Sequence, residues 1–149
     1  MKNTAHIAGS IIATLCIATF LTSTILVELL GSPEAIASVK NLIVSPGLFI
    51  LIPAMIVTGG SGASLAGDRT GRLISNKKKR MPFIAGNGLL ILVPAAYFLD
   101  QWATAGLFDT RFYVVQGLEI LAGATNLTLM GMNMRDGLKM TGKLRPKKT

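Results

Sequence analysis

An acid and three amides stand within the largely apolar stretch "VVQGLEILAGATNLTLMGMNMRDG", residues 114–137, ahead of its closing Arg135 and Asp136: Gln116, Glu119, Asn126 and Asn133. With Gly123 and Met130 they step alternately by three and four residues. That is a heptad spacing, which places all six along one helix face. Two kinds of chemistry fit the pattern. Amides can hydrogen-bond across to neighbouring helices, worth about 0.6–2 kcal/mol each in a membrane. An intramembrane acid can instead carry a proton or hold a polar ligand, which makes Glu119, with Gln116 and Asn126 beside it, a candidate relay or binding site.

A second acid, Glu28, follows a hydroxyl-rich run of Ser10, Thr14, Thr19, Thr22, Ser23 and Thr24. It either reaches the outer interface, where Lys40 or Arg111 can pair with it, or turns inward. In the inward case it forms a two-carboxylate pocket with Glu119, and two like charges so placed cannot both ionise easily. His6 is the single histidine. As an axial ligand to a b-type haem it needs a second ligand, from Met132, Met134 or His6 of another copy, and an electron-transfer role with haem or quinone would follow. No Ser-His-Asp or Cys-His set, metal-binding carboxylate–histidine spacing or H-E-x-x-H motif occurs, so neither an enzyme nor a metal centre is expected.

These residues sit in an unusual background. The chain has 149 residues, 50% of them hydrophobic and 15% charged, where a soluble domain carries about 25% charged residues. This is a membrane composition. The one cysteine, Cys16, rules out an intrachain disulfide framework. A net charge of +8 invites a nucleic-acid reading, but the bases flank apolar runs and lack interleaved aromatic platforms.

Four apolar runs stand out, at 7–30, 42–66, 83–99 and 112–134. A hydrocarbon core of about 30 Å takes roughly 20 helical residues, so each run is long enough to span. The runs are too continuous for barrel strands. The expectation is therefore an all-α, integral-membrane four-helix bundle, up-down-up-down through short connections. The first run is too long for the apolar part of a signal peptide, which is about 7–15 residues. The Lys and Arg residues number 15, and all are expected outside the spans. Two, Lys40 and Arg111, lie on one side. The rest gather in the N-terminal tail, the basic loop 67–82 and the basic tail 135–149, which places both termini in the cytoplasm by the positive-inside rule.

Arg69, Arg72, Lys77, Lys78, Lys79 and Arg80 of the 67–82 loop are candidate contacts for anionic lipid headgroups, as is the tail "KLRPKKT". The stretch "TGGSGASLAG", residues 58–67, offers small side chains for close helix approach. Pro46, Pro53 and Pro94 are expected to kink their helices.

The segments "MKNTAHIAGSII" and "SPGLFILIPAMIVTG" resemble uncharacterised four-helix bacterial membrane proteins distantly similar to the CopD copper-related family. The likeness covers less than a quarter of the chain, at Lys2, His6 and Gly9 and at Ser45, Pro46 and Gly47. It implies a metal or haem role for His6, while the further histidines that such a role requires are missing from this sequence. The leading expectation is a small, non-enzymatic, multi-pass inner-membrane protein without a cofactor, an accessory or oligomer-forming subunit assembled through the polar seam. A transporter or channel-like bundle centred on Glu119 is the alternative, and a haem- or quinone-binding subunit using His6 a further one.

Overall fold

The computed structural model describes residues 2–67, 70–140 and 142. Among the described residues there are helices and turns but no strand. In chain order the helices are α1 (Lys2–Leu30), α2 (Pro33–Leu42), α3 (Phe49–Ala66), α4 (Arg72–Asn87), α5 (Val93–Thr104) and α6 (Thr110–Met140). A π-helical segment, Ile43–Leu48, joins α2 to α3, and another, Gly88–Leu92, joins α4 to α5. Four long rods result, and three of them, Asn3–Leu30, Pro33–Ala66 and Arg72–Thr104, are long and apolar enough to cross a membrane. The fourth, α6, is as long, but its polar face lowers its hydropathy below theirs.

Local chemistry explains why the rods outrun the apolar runs. Ser32 caps α2 by accepting from the Ala35 N–H, Pro33 takes the first turn and Glu34 sits at the positive end of the helix dipole. The second helix therefore begins at residue 33, not 42, and the loop expected at 31–41 shrinks to Gly31 and Ser32. On the other side, α4 begins at Arg72, so Lys77 to Arg80 lie on a helix and not in a loop. The third rod continues past 99 to Thr104, and α6 past 134 to Met140.

Of the expected kinks, the one at Pro46 is the clearest. Ser45 has extended φ/ψ of −140° and 112°, because the proline ring disfavours helical geometry in the residue before it. The Ser45–Pro46 peptide is cis. Pro53 and Pro82 lie inside helices, and Pro94 opens α5 after the second π-helical segment.

Packing is layered. Ala13, Ile17, Leu51, Ala54, Ile84 and Met130 form one buried cluster, and Ile36, Leu99, Ala103 and Phe112 another, nearer the 31–32 and 105–109 turns. Glycine matters where α1 meets its neighbour. A Cβ on Gly9 would fall 2.8 Å from Thr58 Oγ1 and 3.1 Å from the Ala54 carbonyl. In the 58–67 stretch only Gly62 is so crowded, against Met81 and His6, while Gly59 and Gly60 face open space. The close approach thus belongs to Gly9 more than to the glycine-rich stretch.

Candidate functional site

Every member of the α6 stripe faces the interior. Gln116, Gly123, Asn126, Met130 and Asn133 are buried and Glu119 is half-buried. Three polar clusters follow one another along this stripe.

The first contains Glu119. Its Oε2 accepts from Lys40 Nζ at 2.6 Å and from Gln116 Nε2 at 2.9 Å. Lys40 is fully buried, at 0% exposure, and its ammonium also donates to Thr24 Oγ1 at 3.3 Å. Glu28 lies within electrostatic reach of Lys40 and Glu119. Its Oε1 is buried without a hydrogen-bond partner, and so is Gln116 Oε1. Two expectations need correction here. Lys40 is not an exposed loop base, because capping at Ser32 places it two turns inside a helix. Glu28 pairs with neither Lys40 nor Arg111, since Lys40 is taken by Glu119 and Arg111 Nη2 bonds Asp109 at 2.9 Å.

The second cluster lies midway. Asn87 donates to Asn126 Oδ1 at 2.8 Å and to the Ala122 carbonyl at 2.9 Å, while Asn126 donates to the Ile84 carbonyl at 3.2 Å. This double clamp ties α4 to α6 at the start of a π-helical segment. Asn126 is fully buried, so each of these bonds satisfies a group that water cannot reach.

The third is at the opposite end of the bundle. Arg80 bonds Asp136 at 2.8 Å and Asn133 at 3.5 Å. Beside it, His6 Nδ1 lies 3.1 Å from the Thr58 carbonyl and 3.3 Å from Ser61 Oγ. Lys77 Nζ approaches His6 Nε2 at 3.1 Å. These bonds set the tautomer, with Nδ1 protonated toward the carbonyl and Nε2 accepting from the ammonium. Both ring nitrogens are engaged and a cation sits at Nε2, so His6 as placed does not fit an axial haem ligand. Met134, one expected second ligand, is instead 3.7 Å from the Thr14 hydroxyl.

The six basic residues expected at lipid headgroups separate. Lys77 and Arg80 turn inward as described; Lys78 is exposed and donates to the Gly67 carbonyl at 2.7 Å. Arg72 and Lys79 are exposed, and Arg69 falls outside the described residues, as do Lys143, Arg145, Lys147 and Lys148 of the tail.

Between the first two clusters is a cavity of about 50 Å³, with Ile17, Thr24, Leu51, Met55, Gly88 and Glu119 in its wall. Both π-helical segments border it, through Ile43 and Leu48 and through Gly88 and Leu92. Wide helical turns of this kind recur at functional sites. The volume matches a few water molecules at about 10–15 Å³ each, but a wall this apolar stays dry except near Glu119. The arrangement can hold and exchange charge at one end of an apolar chamber.

Asn87 was not singled out in the sequence, and Lys40 was read as a loop base beside Glu28, not as the partner of Glu119. The Ser32-Pro33-Glu34 start signal points to Lys40, because it moves the helix origin back by nine residues. Asn87, inside an apolar run, is the amide that matches Asn126. Nothing local marks Asp136 as the Arg80 partner. In comparisons with family models, curated proteins and solved structures the chain matches none, and its function rests on this geometry.

Proposed function

We propose that this is a small multi-pass inner-membrane protein, non-enzymatic, in which the Lys40–Glu119 cluster handles a proton or small solute as part of a transporter or channel-like bundle. The observation that carries the reading is the full burial of Lys40 against Glu119, which itself lies in the wall of an apolar cavity, with Glu28 within electrostatic reach. Desolvating an ammonium and a carboxylate costs several kcal/mol per ion, and a hydrophobic pair of the same size often serves stability as well or better. Ionisable groups inside a membrane bundle therefore point to work done with charge.

In this reading all four rods span, α6 with its polar face turned inward, and both termini are cytoplasmic. With Lys40 withdrawn into the bundle, Arg111 is the one base at the outer turns among the described residues, while Arg72, Lys78 and Lys79 are exposed at the other end, an asymmetry in the sense of the positive-inside rule. Arg72, Lys78 and Lys79 then lie at the level of anionic headgroups.

A second observation favours an oligomer or accessory subunit. Gly117, Leu121, Ala124, Thr128 and Gly131 are exposed along the outward face of α6 at alternating steps of four and three, the kind of small-residue surface on which membrane helices approach closely. The two readings combine, because one chain encloses too little volume for a solute path.

The test is flux in proteoliposomes with a trapped pH indicator. Glu119→Gln and Lys40→Met are each expected to slow proton-linked flux about tenfold or more. Flux equal to wild type in both variants would remove the transport role and leave the accessory one.

A further inference from the structure

The Lys40–Glu119 bond leaves a charge unanswered. Two carboxylates, Glu28 and Glu119, lie within electrostatic reach of one another and of a single buried ammonium. Two of the Lys40 N–H groups are committed, to Glu119 and Thr24. Two oxygens remain orphaned, Glu28 Oε1 and Gln116 Oε1, and both are acceptors. Gln116 is 3% exposed and is anchored in the cluster through its amide nitrogen on Glu119. Its orientation is dictated, since turning the amide over would set oxygen against carboxylate. Thr24, 2% exposed, adds a hydroxyl oxygen on the α1 side. What the cluster lacks is therefore a positive charge that oxygen can bind.

We infer that the cluster binds one further univalent cation, held at the orphaned oxygens of Glu28 and Gln116 beside Lys40. Its source is either a proton, carried on Glu28 as the neutral acid, or an alkali ion coordinated by oxygens alone. The inference rests on the proposed charge-handling role and names what is handled. Lys40 answers Glu119 directly, so within the cluster the carboxylate left without a cation is Glu28, and one univalent ion matches it. Of the charged groups on the packed elements, Lys40 of α2 and Glu119 of α6 belong to the cluster; Asp100 of α5 accepts from the Asn41 amide at 3.4 Å, Asp136 and Arg111 of α6 are paired with Arg80 and Asp109, Glu34, Arg135 and Lys139 are exposed, and α3 carries none.

The experiment is thermal unfolding of the purified full chain in detergent, followed by the fluorescence of Trp102. It compares lithium, sodium and potassium chloride with N-methylglucamine chloride at fixed ionic strength, across pH 5–9. Saturating cation is expected to raise the wild-type Tm by about 3–6 °C. An alkali source gives a response at fixed pH that depends on ion size; a proton source gives a rise on acidification whichever salt is present. Glu28→Gln, which supplies amide donors without charge, is expected to abolish the response. Should it fail to fold, Glu28→Asp is expected to keep the response at reduced affinity. A wild-type Tm indifferent to both ions and pH, or a variant at position 28 responding just as wild type does, overturns the inference. A Tm response without proteoliposome flux would preserve this site and remove the transport role; flux without a Tm response would do the reverse.

Discussion

At the scale of single residues, the Lys40–Glu119 pair is where chemistry and stability meet. Removing one partner of a buried pair leaves the other charge uncompensated, at a cost of about 3–5 kcal/mol. Lys40→Met and Glu119→Gln are each expected to destabilise by that much. The double variant should lose less than the sum, with a coupling of about 1–3 kcal/mol in a denaturant cycle. Strict additivity would show that the two groups do not depend on each other. The stripe that bears Glu119 was legible in the sequence, because heptad spacing is a local property of one helix. Its partner was not, because Lys40 comes 79 residues earlier and only tertiary packing brings the two together. Asn126 shows the same division: its facing was readable, while its clamp with Asn87 was not.

Four rods and their approximate positions could be read from the apolar runs, and three of the four are long and apolar enough to cross a membrane. Boundaries could not, because polar residues continue each helix beyond its apolar part. Ser32 and Arg72 mark starts that hydropathy passes over. Two predictions belong to this scale. Gly9→Leu forces a side chain into the space held by Thr58 and Ala54, and overpacking of this kind costs about 1–3 kcal/mol; Gly60→Leu, facing open space, should cost little. Equal losses in the two variants would contradict the assigned α1–α3 contact. The second concerns Asp109, which caps α6 by accepting from the Phe112 N–H at 3.1 Å. That bond and the Arg111 side chain hold its carboxyl below the usual range. A depressed carboxylate stabilises fully above its unfolded-state pKa and loses that contribution as pH falls through its folded value. Asp109→Asn should therefore flatten the acid limb of a Tm-against-pH curve, and an unchanged limb would refute the cap.

For the whole molecule, sidedness is the property to measure. In a Cys16→Ala background, Ser75→Cys and Ala105→Cys place single thiols at opposite ends of the bundle. With both termini cytoplasmic, a membrane-impermeant maleimide added to intact cells is expected to label Ala105→Cys and spare Ser75→Cys. The reverse pattern would invert the topology. The burial of Lys40 also has a consequence for how the chain is made. The ribosome delivers Lys40 long before Glu119 exists, so the first helices enter the bilayer with a buried ammonium that has only Thr24 and Glu28 for company. The last helix neutralises it. Completion of synthesis is thus coupled to completion of the fold: a nascent or truncated chain without α6 leaves the Lys40 ammonium without its carboxylate partner.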